Sequence, residues 1–424
     1  MPNLRVFNQI AKEYQRLGYL KRLVKRVVSI PTSNLDNLGT DLIDIVSRKF
    51  SVPLTQERVN YIKIRLFDRV YKSLKEQTES WVKNGGEAPI VQMEIQDLYL
   101  SDANISSSVG KLNKADWNGY PLLGVNLGFI RGGTFSANTR AFSLLHLIPD
   151  QELKAFTEFL PESNPFRIDL KQALLFLYSF LENDGEVFIP LLVKLANSNL
   201  SSFNDREAGD FLPEIYQSII SRYRKSMLAI NLRERLEVLE KSASSIAAQQ
   251  QKERYSGGSS REHASRPRLE PYVDIGLFSK PNPMKFEYSI SPIGQSWANA
   301  FAGQEDSAAI EEFLFRRFFE TAANSWKIDA TPITSTDEIV TRLQKAAKIV
   351  SSSSGYAPIE ELALLSGIES LIDDHQYFEI GTAREAIIAF QKANPYKVRF
   401  TVDRMGTLAH AKFIEEKTSR PGQG

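Results

Sequence analysis

Apolar residues recur every three or four positions along most of this chain, and that spacing limits its fold more than any other feature. Leu4, Phe7, Ile10, Tyr14, Leu17, Leu20 and Val24 follow it, as do Leu42, Ile43 and Val46, and then Val59, Ile62, Leu66, Val70 and Leu74. A period near 3.6 gathers such residues on one face of a helix, where they can be buried against another element. Residues 214–241 carry the same stripe through Ile219, Tyr223, Met227, Ile230, Leu236 and Leu239, and predict one long helix. The apolar run Leu170–Leu181, interrupted by Lys171 and Gln172, is shorter than the roughly 20 residues of a bilayer span and predicts a buried core helix.

At 424 residues the chain exceeds a single domain, which typically holds about 100–200 residues. Its 52 Lys and Arg against 51 Asp and Glu leave a net charge of +1, so bulk charge does not drive it onto nucleic acid, although a local basic face is allowed. One such face lies near the start, where Arg5, Lys12, Arg16, Lys21, Arg22, Lys25 and Arg26 stand against Glu13 alone. A docked helix with a solvated basic face is expected there. A contact to nucleic acid or an acidic partner is the second reading, and an organelle presequence the third. Absent cysteine rules out disulfides, thiolate nucleophiles, iron–sulfur clusters and cysteine zinc sites. The four histidines, His146, His263, His375 and His410, are far apart, so neither a metal nor another cofactor is expected. No apolar stretch of spanning length and no signal-peptide pattern is present, so a cytoplasmic protein without membrane contact is expected.

Near the middle, Arg268–Phe278 reads as a short helix stopped at Gly276, where a left-handed cap suits glycine. Pro281, Asn282 and Pro283 are turn residues, Phe286–Ile290 alternates as a strand, and Ser291-Pro292 opens the next helix with Ser at the N-cap and Pro behind it. The motifs Ile275-Gly276-Leu277-Phe278 and Tyr288-Ser289-Ile290-Ser291-Pro292-Ile293-Gly294 resemble the second half of a winged-helix domain, in which a helix leads into a β-hairpin wing and then a capped helix. A weaker likeness runs from Leu122 through Arg131-Gly132-Gly133 to a helix over Asn138–Leu147. At the C-terminal end the pattern is helix, helix, helix, hairpin. Pro358–Leu365 and Ile368–Asp373 read as helices split by Gly367, and Thr382 with Glu385 has capping-box spacing for a helix over Ala383–Lys392. Asn394-Pro395 stops it, and strands over Lys397–Val402 and Thr407–Ile414 flank the turn Asp403–Gly406. Three helices and a hairpin is the winged-helix order.

The expected fold is therefore mainly α with small β-hairpins (α+β), in several domains. A helical N-terminal region (1–84) precedes a helical domain with a possible winged-helix element (85–213) and a long helix (214–242). A flexible linker rich in Ser, Gln, Gly and Arg (243–268), a winged-helix-like module (269–330) and a C-terminal winged-helix-like domain (331–424) follow. The resemblance implies that the helix before each hairpin enters a DNA groove and that the hairpin meets phosphates. The residues so implicated are Arg384, Lys392, Lys397, Arg399, Arg404 and Lys412 in the last module, Arg266, Arg268, Lys280 and Lys285 in the middle one, and Arg131 and Arg140 in the first.

No enzyme centre is apparent. Gly406–Ile414 contains a His410-x-Lys412 pair, but Lys417 stands where a phospholipase-D-type motif needs Asp. Asp150, Glu152 and Lys154 are crowded at a helix start rather than spread over two strands, and phosphate loops, dinucleotide fingerprints and nucleophile elbows are missing. The expectation is a non-enzymatic DNA-binding or accessory factor in a DNA-handling system such as a mobile element, genome defence or transcription, with double-stranded DNA as partner. The alternative is an adaptor that docks protein partners or a second copy of itself; a nuclease is the remote third.

Overall fold

The computed structural model describes residues 4–7, 17–29, 120–131, 137–155, 167–198, 200–225, 229–251, 260–281, 285–352, 354–403 and 407–414. The helices expected over 41–83 lie outside them. In chain order the elements are α1 (Leu17–Ser29), α2 (Tyr120–Asn126), α3 (Thr139–His146), α4 (Asp150–Ala155), α5 (Leu170–Asn197), β1 (Phe203–Asn204), α6 (Asp205–Gly209), α7 (Leu212–Arg224), α8 (Ala229–Gln251), α9 (Ser260–Ser265), α10 (Glu270–Ile275), β2 (Phe278–Ser279), β3 (Glu287–Ile290) and α11 (Pro292–Ala300). Then come α12 (Ser307–Arg316), α13 (Phe318–Trp326), β4 (Thr331–Pro332), α14 (Thr336–Val350), β5 (Ala357–Pro358), α15 (Ile359–Asp373), β6 (Gln376–Tyr377), α16 (Ile380–Ala393), β7 (Val398–Val402) and β8 (Leu408–Phe413). The chain is mainly helical, with short strands in small sheets. Among the described residues no helix is long and apolar enough to cross a membrane.

Helix α5 is the centre of the packing. Asp169 caps it by accepting from the Gln172 N–H, and its residues from Gln172 to Leu181 and from Asp184 to Leu192 are buried all round. A helix apolar on every side belongs inside a protein. It runs well beyond the expected 170–181, and α7, α10, α11, α12 and α15 pack on it. Phe188 stacks on Tyr272 of α10 at 3.6 Å, and Tyr178 meets Phe318 of α13 edge-on at 5.2 Å. The buried apolar side chains form one cluster reaching from Leu4 to Ala411, so the modules share an interior.

Several sequence expectations change here. Two cations of the N-terminal basic face are docked rather than solvated: Lys21 is fully buried and its Nζ donates to Glu152 at 2.9 Å and to the Arg167 carbonyl at 2.6 Å. Arg5 donates to Ser307 and to the Glu182 carbonyl. The long helix expected over 214–241 is two helices, α7 and α8, which pack on each other and are joined by the Arg224–Glu240 ion pair. The residues read as a linker over 243–268 are partly regular structure. Helix α8 continues to Gln251, and Ser260–Arg268 forms α9 and a 3₁₀ turn in which Ser265, Pro267 and Arg268 are buried.

Two three-stranded antiparallel sheets repeat one topology. In each, an early strand pairs with the last strand of a later hairpin, giving the orders β1-β3-β2 and β5-β8-β7. The local signals of the middle hairpin hold: Gly276 caps α10 at φ +89°, and the Ser291 hydroxyl accepts from the Gly294 N–H at 2.9 Å.

The C-terminal helices differ from expectation in two ways. Gly367 does not split a helix, because α15 runs unbroken from Ile359 to Asp373. The glycine instead admits the Phe319 ring of α13, which a Cβ at that position would meet at 2.3 Å. Helix α16 starts at Ile380 behind Glu379, ahead of the expected Thr382 cap. The Glu379 carboxylate turns away to accept from the N–H groups of Phe319 and Glu320, at 3.1 and 2.8 Å, and so caps α13.

Candidate nucleic-acid interface

The C-terminal hairpin is built by alternation. Successive residues of a strand face opposite sides, so Val398 and Phe400 turn inward with Ala411, while Lys397, Arg399 and Thr401 turn out. In the β7–β8 register Arg399 stands opposite Lys412, and Thr401 opposite His410. Three cations, Lys397, Arg399 and Lys412, thereby share one face. Lys397 and Arg399 are exposed, and Lys412 is half-buried. The Lys412 ammonium donates to the Ser354 carbonyl at 2.6 Å and lies 5.5 Å from the Tyr356 ring. It has three donors, and this bond uses one.

Helix α16 packs against α14 and α15, and its exposed residues are Thr382, Glu385, Ala389, Lys392 and Ala393. Arg384 is half-buried and donates to the Leu408 carbonyl at 3.4 Å, which ties the helix to the hairpin. Lys392 is exposed in the last turn of the helix, and Tyr396, in the loop beyond it, is 88% exposed. Neither Lys392 nor Arg399 forms an ion pair among the described residues. Arg404 lies outside them.

The basic residues of the middle module are placed otherwise. Arg268 is 1% exposed and forks onto Asp184 of α5, Nε to Oδ2 at 2.5 Å and Nη2 to Oδ1 at 2.9 Å. Burial alone would make this guanidinium easier to deprotonate, but Asp184 beside it holds its pKa above the ordinary arginine value. Arg266 forks onto Asp205 and lies 3.5 Å over the Phe286 ring. Lys280 donates to buried Glu270 at 2.9 Å. Lys285 is exposed. The helix expected to enter a groove, α10, buries Glu270, Pro271, Tyr272 and Ile275 and packs on α5, so it has no broad face to present.

In the first segment Arg131 is exposed, but Arg140 is buried. Its guanidinium donates to Glu361 of α15 at 2.8 Å and to Glu182 of α5 at 2.6 Å. Burial opposes the charge, and the two carboxylates more than offset it, holding the Arg140 pKa well above its usual range. Arg140 and Arg268 are therefore core cross-links, and the expectation that they touch DNA does not fit their burial. Sequence reading missed their partners Asp184, Glu182 and Glu361 because nothing local marks a carboxylate as buried.

An open cleft of about 460 Å³ lies between α3, α5 and α15, with His146, Pro149, Lys171, Glu369 and Ile372 in its walls. Its polar groups are paired, His146 with Glu369 at 2.8 Å and Lys171 with Asp373 at 2.6 Å, and no Ser, Thr or Tyr hydroxyl lines it. Among the described residues no group of His, Asp and Glu could hold a metal ion. No protein-family model matches this chain, and no curated protein or solved structure is similar to it.

Proposed function

We propose that this chain binds double-stranded DNA through its C-terminal module, from α14 to β8. The observation that carries the reading is the cluster of Lys397, Arg399 and Lys412 on the outer face of the hairpin, with Lys392 at the adjoining helix end. Three cations on one hairpin face suit a row of phosphates, and the net charge of +1 makes their concentration a local feature. The order α14, β5, α15, β6, α16, β7, β8, with three helices ahead of the hairpin, supports the winged-helix likeness of this module. The middle hairpin has the same strand order, but Arg268, Arg266 and Lys280 there are neutralised by Asp184, Asp205 and Glu270, which leaves Lys285 exposed. That observation favours a second role, docking, for the middle module: it holds the rest of the chain together.

The test is fluorescence anisotropy of a labelled duplex of about 40 base pairs, several helical turns long, titrated with the full chain at low and at physiological salt. Salt-sensitive binding that Lys397→Ala with Arg399→Ala weakens by about tenfold or more is the expected result. No binding at micromolar protein in low salt overturns the reading.

A further inference from the structure

We infer that this site holds duplex DNA by its backbone, through the hairpin, with little discrimination between base sequences. The inference rests on the DNA-binding reading and goes further, to the class of substrate. Sequence is read in the major groove by side chains that can make paired hydrogen bonds to a base edge, above all Arg and Lys to guanine and Asn and Gln to adenine. The exposed face of α16 offers Thr382, Glu385, Ala389 and Lys392. One of these is an anion in the middle of the face, which repels phosphates on either side of a groove. One is a small apolar residue. Arg384 and Gln391 have the right chemistry but are half-buried, and Arg384 donates to the Leu408 carbonyl, which leaves Lys392 in the last turn as the one exposed reader on this face. The cations are instead on the hairpin, where Lys397, Arg399 and Lys412 extend along one face of the two strands. Point charges so arrayed track phosphates, which are the same in every sequence. The middle module adds no reader, because α10 is buried against α5.

The test is selection from a duplex library with a randomised core, using the full chain, followed by sequencing of the bound fraction. Anisotropy on two duplexes of unrelated sequence accompanies it. The expected result is a bound pool without an enriched motif and affinities for the two duplexes within about threefold. Both should weaken roughly 40- to 150-fold between 50 and 200 mM salt, as release of counterions by three or four cations requires. Lys397→Ala with Arg399→Ala should weaken both duplexes alike. Glu385→Ala should weaken neither. An enriched motif, or a double variant that weakens one duplex and spares the other, overturns this inference and leaves DNA binding standing. Failure to bind any duplex at low salt overturns both.

Discussion

Arg268 and Asp184 form a fork-to-fork ion pair in which both side chains are 1% exposed. They join the 3₁₀ turn before α10 to the central helix α5, and Asp184 also accepts from the Phe7 N–H at 3.0 Å. Three distant parts of the chain thus meet at one carboxylate. Arg268→Ala leaves that carboxylate buried without its counter-charge, and the expected loss is about 3–5 kcal/mol of stability in urea denaturation. DNA affinity of the folded variant should be unchanged.

Gly367 and Phe319 make the complementary prediction for packing. The ring lies where a Cβ would be, at 2.3 Å from its Cζ, so Gly367→Ala must push α15 and α13 apart. A loss of about 1–3 kcal/mol is expected, measured as a lower denaturation midpoint, although alanine is the better helix former. If helix propensity decided the outcome, the variant would gain stability.

Glu379 gives the fold a pH dependence. Burial raises its pKa to about 7, against the help of the Glu320 and Phe319 N–H groups, whereas in the unfolded chain it titrates near its ordinary 4.5. The folded state therefore prefers the protonated acid. Its contribution is fully present below the unfolded pKa and is lost as pH rises through about 7. Between about pH 5.5 and 8 this group alone should remove about 2 kcal/mol. Urea denaturation of the native chain and of Glu379→Gln at both pH values isolates it. The difference between the two proteins should change across the range, and a constant difference would be evidence against the assignment.

The two hairpins should respond oppositely to loss of charge. Lys280→Ala strips the ammonium from Glu270, which is fully buried, and should cost about 2 kcal/mol while leaving DNA affinity alone. Arg399→Ala removes an exposed side chain, and stability should stay within about 0.5 kcal/mol. Its effect should appear in anisotropy, as weaker binding with a shallower salt dependence.

Much of the local architecture was readable from the residues. Gly276 stops its helix in the left-handed region, Ser291 caps the helix behind it, and α16 ends at Ala393 before Asn394-Pro395. These signals act over a few residues and need no distant partner, so sequence order is enough to state them. Alternation likewise marked the strands over 397–402 and 407–414. Thr382 misled because its capping-box spacing is a local signal that Glu379 and the packing of α16 on α14 override.

By itself, then, the sequence determined a mainly helical chain with hairpins after helices, without cysteine chemistry and with nearly balanced charge. Only the tertiary structure decided which cations are spent on buried carboxylates. Arg268 lies 84 positions from Asp184, and Arg140 lies 221 positions from Glu361. A guanidinium looks the same in sequence whether it faces water or a buried carboxylate. The distinction depends on a contact made by packing α3, α5, α10 and α15 together, and no local pattern encodes such a contact.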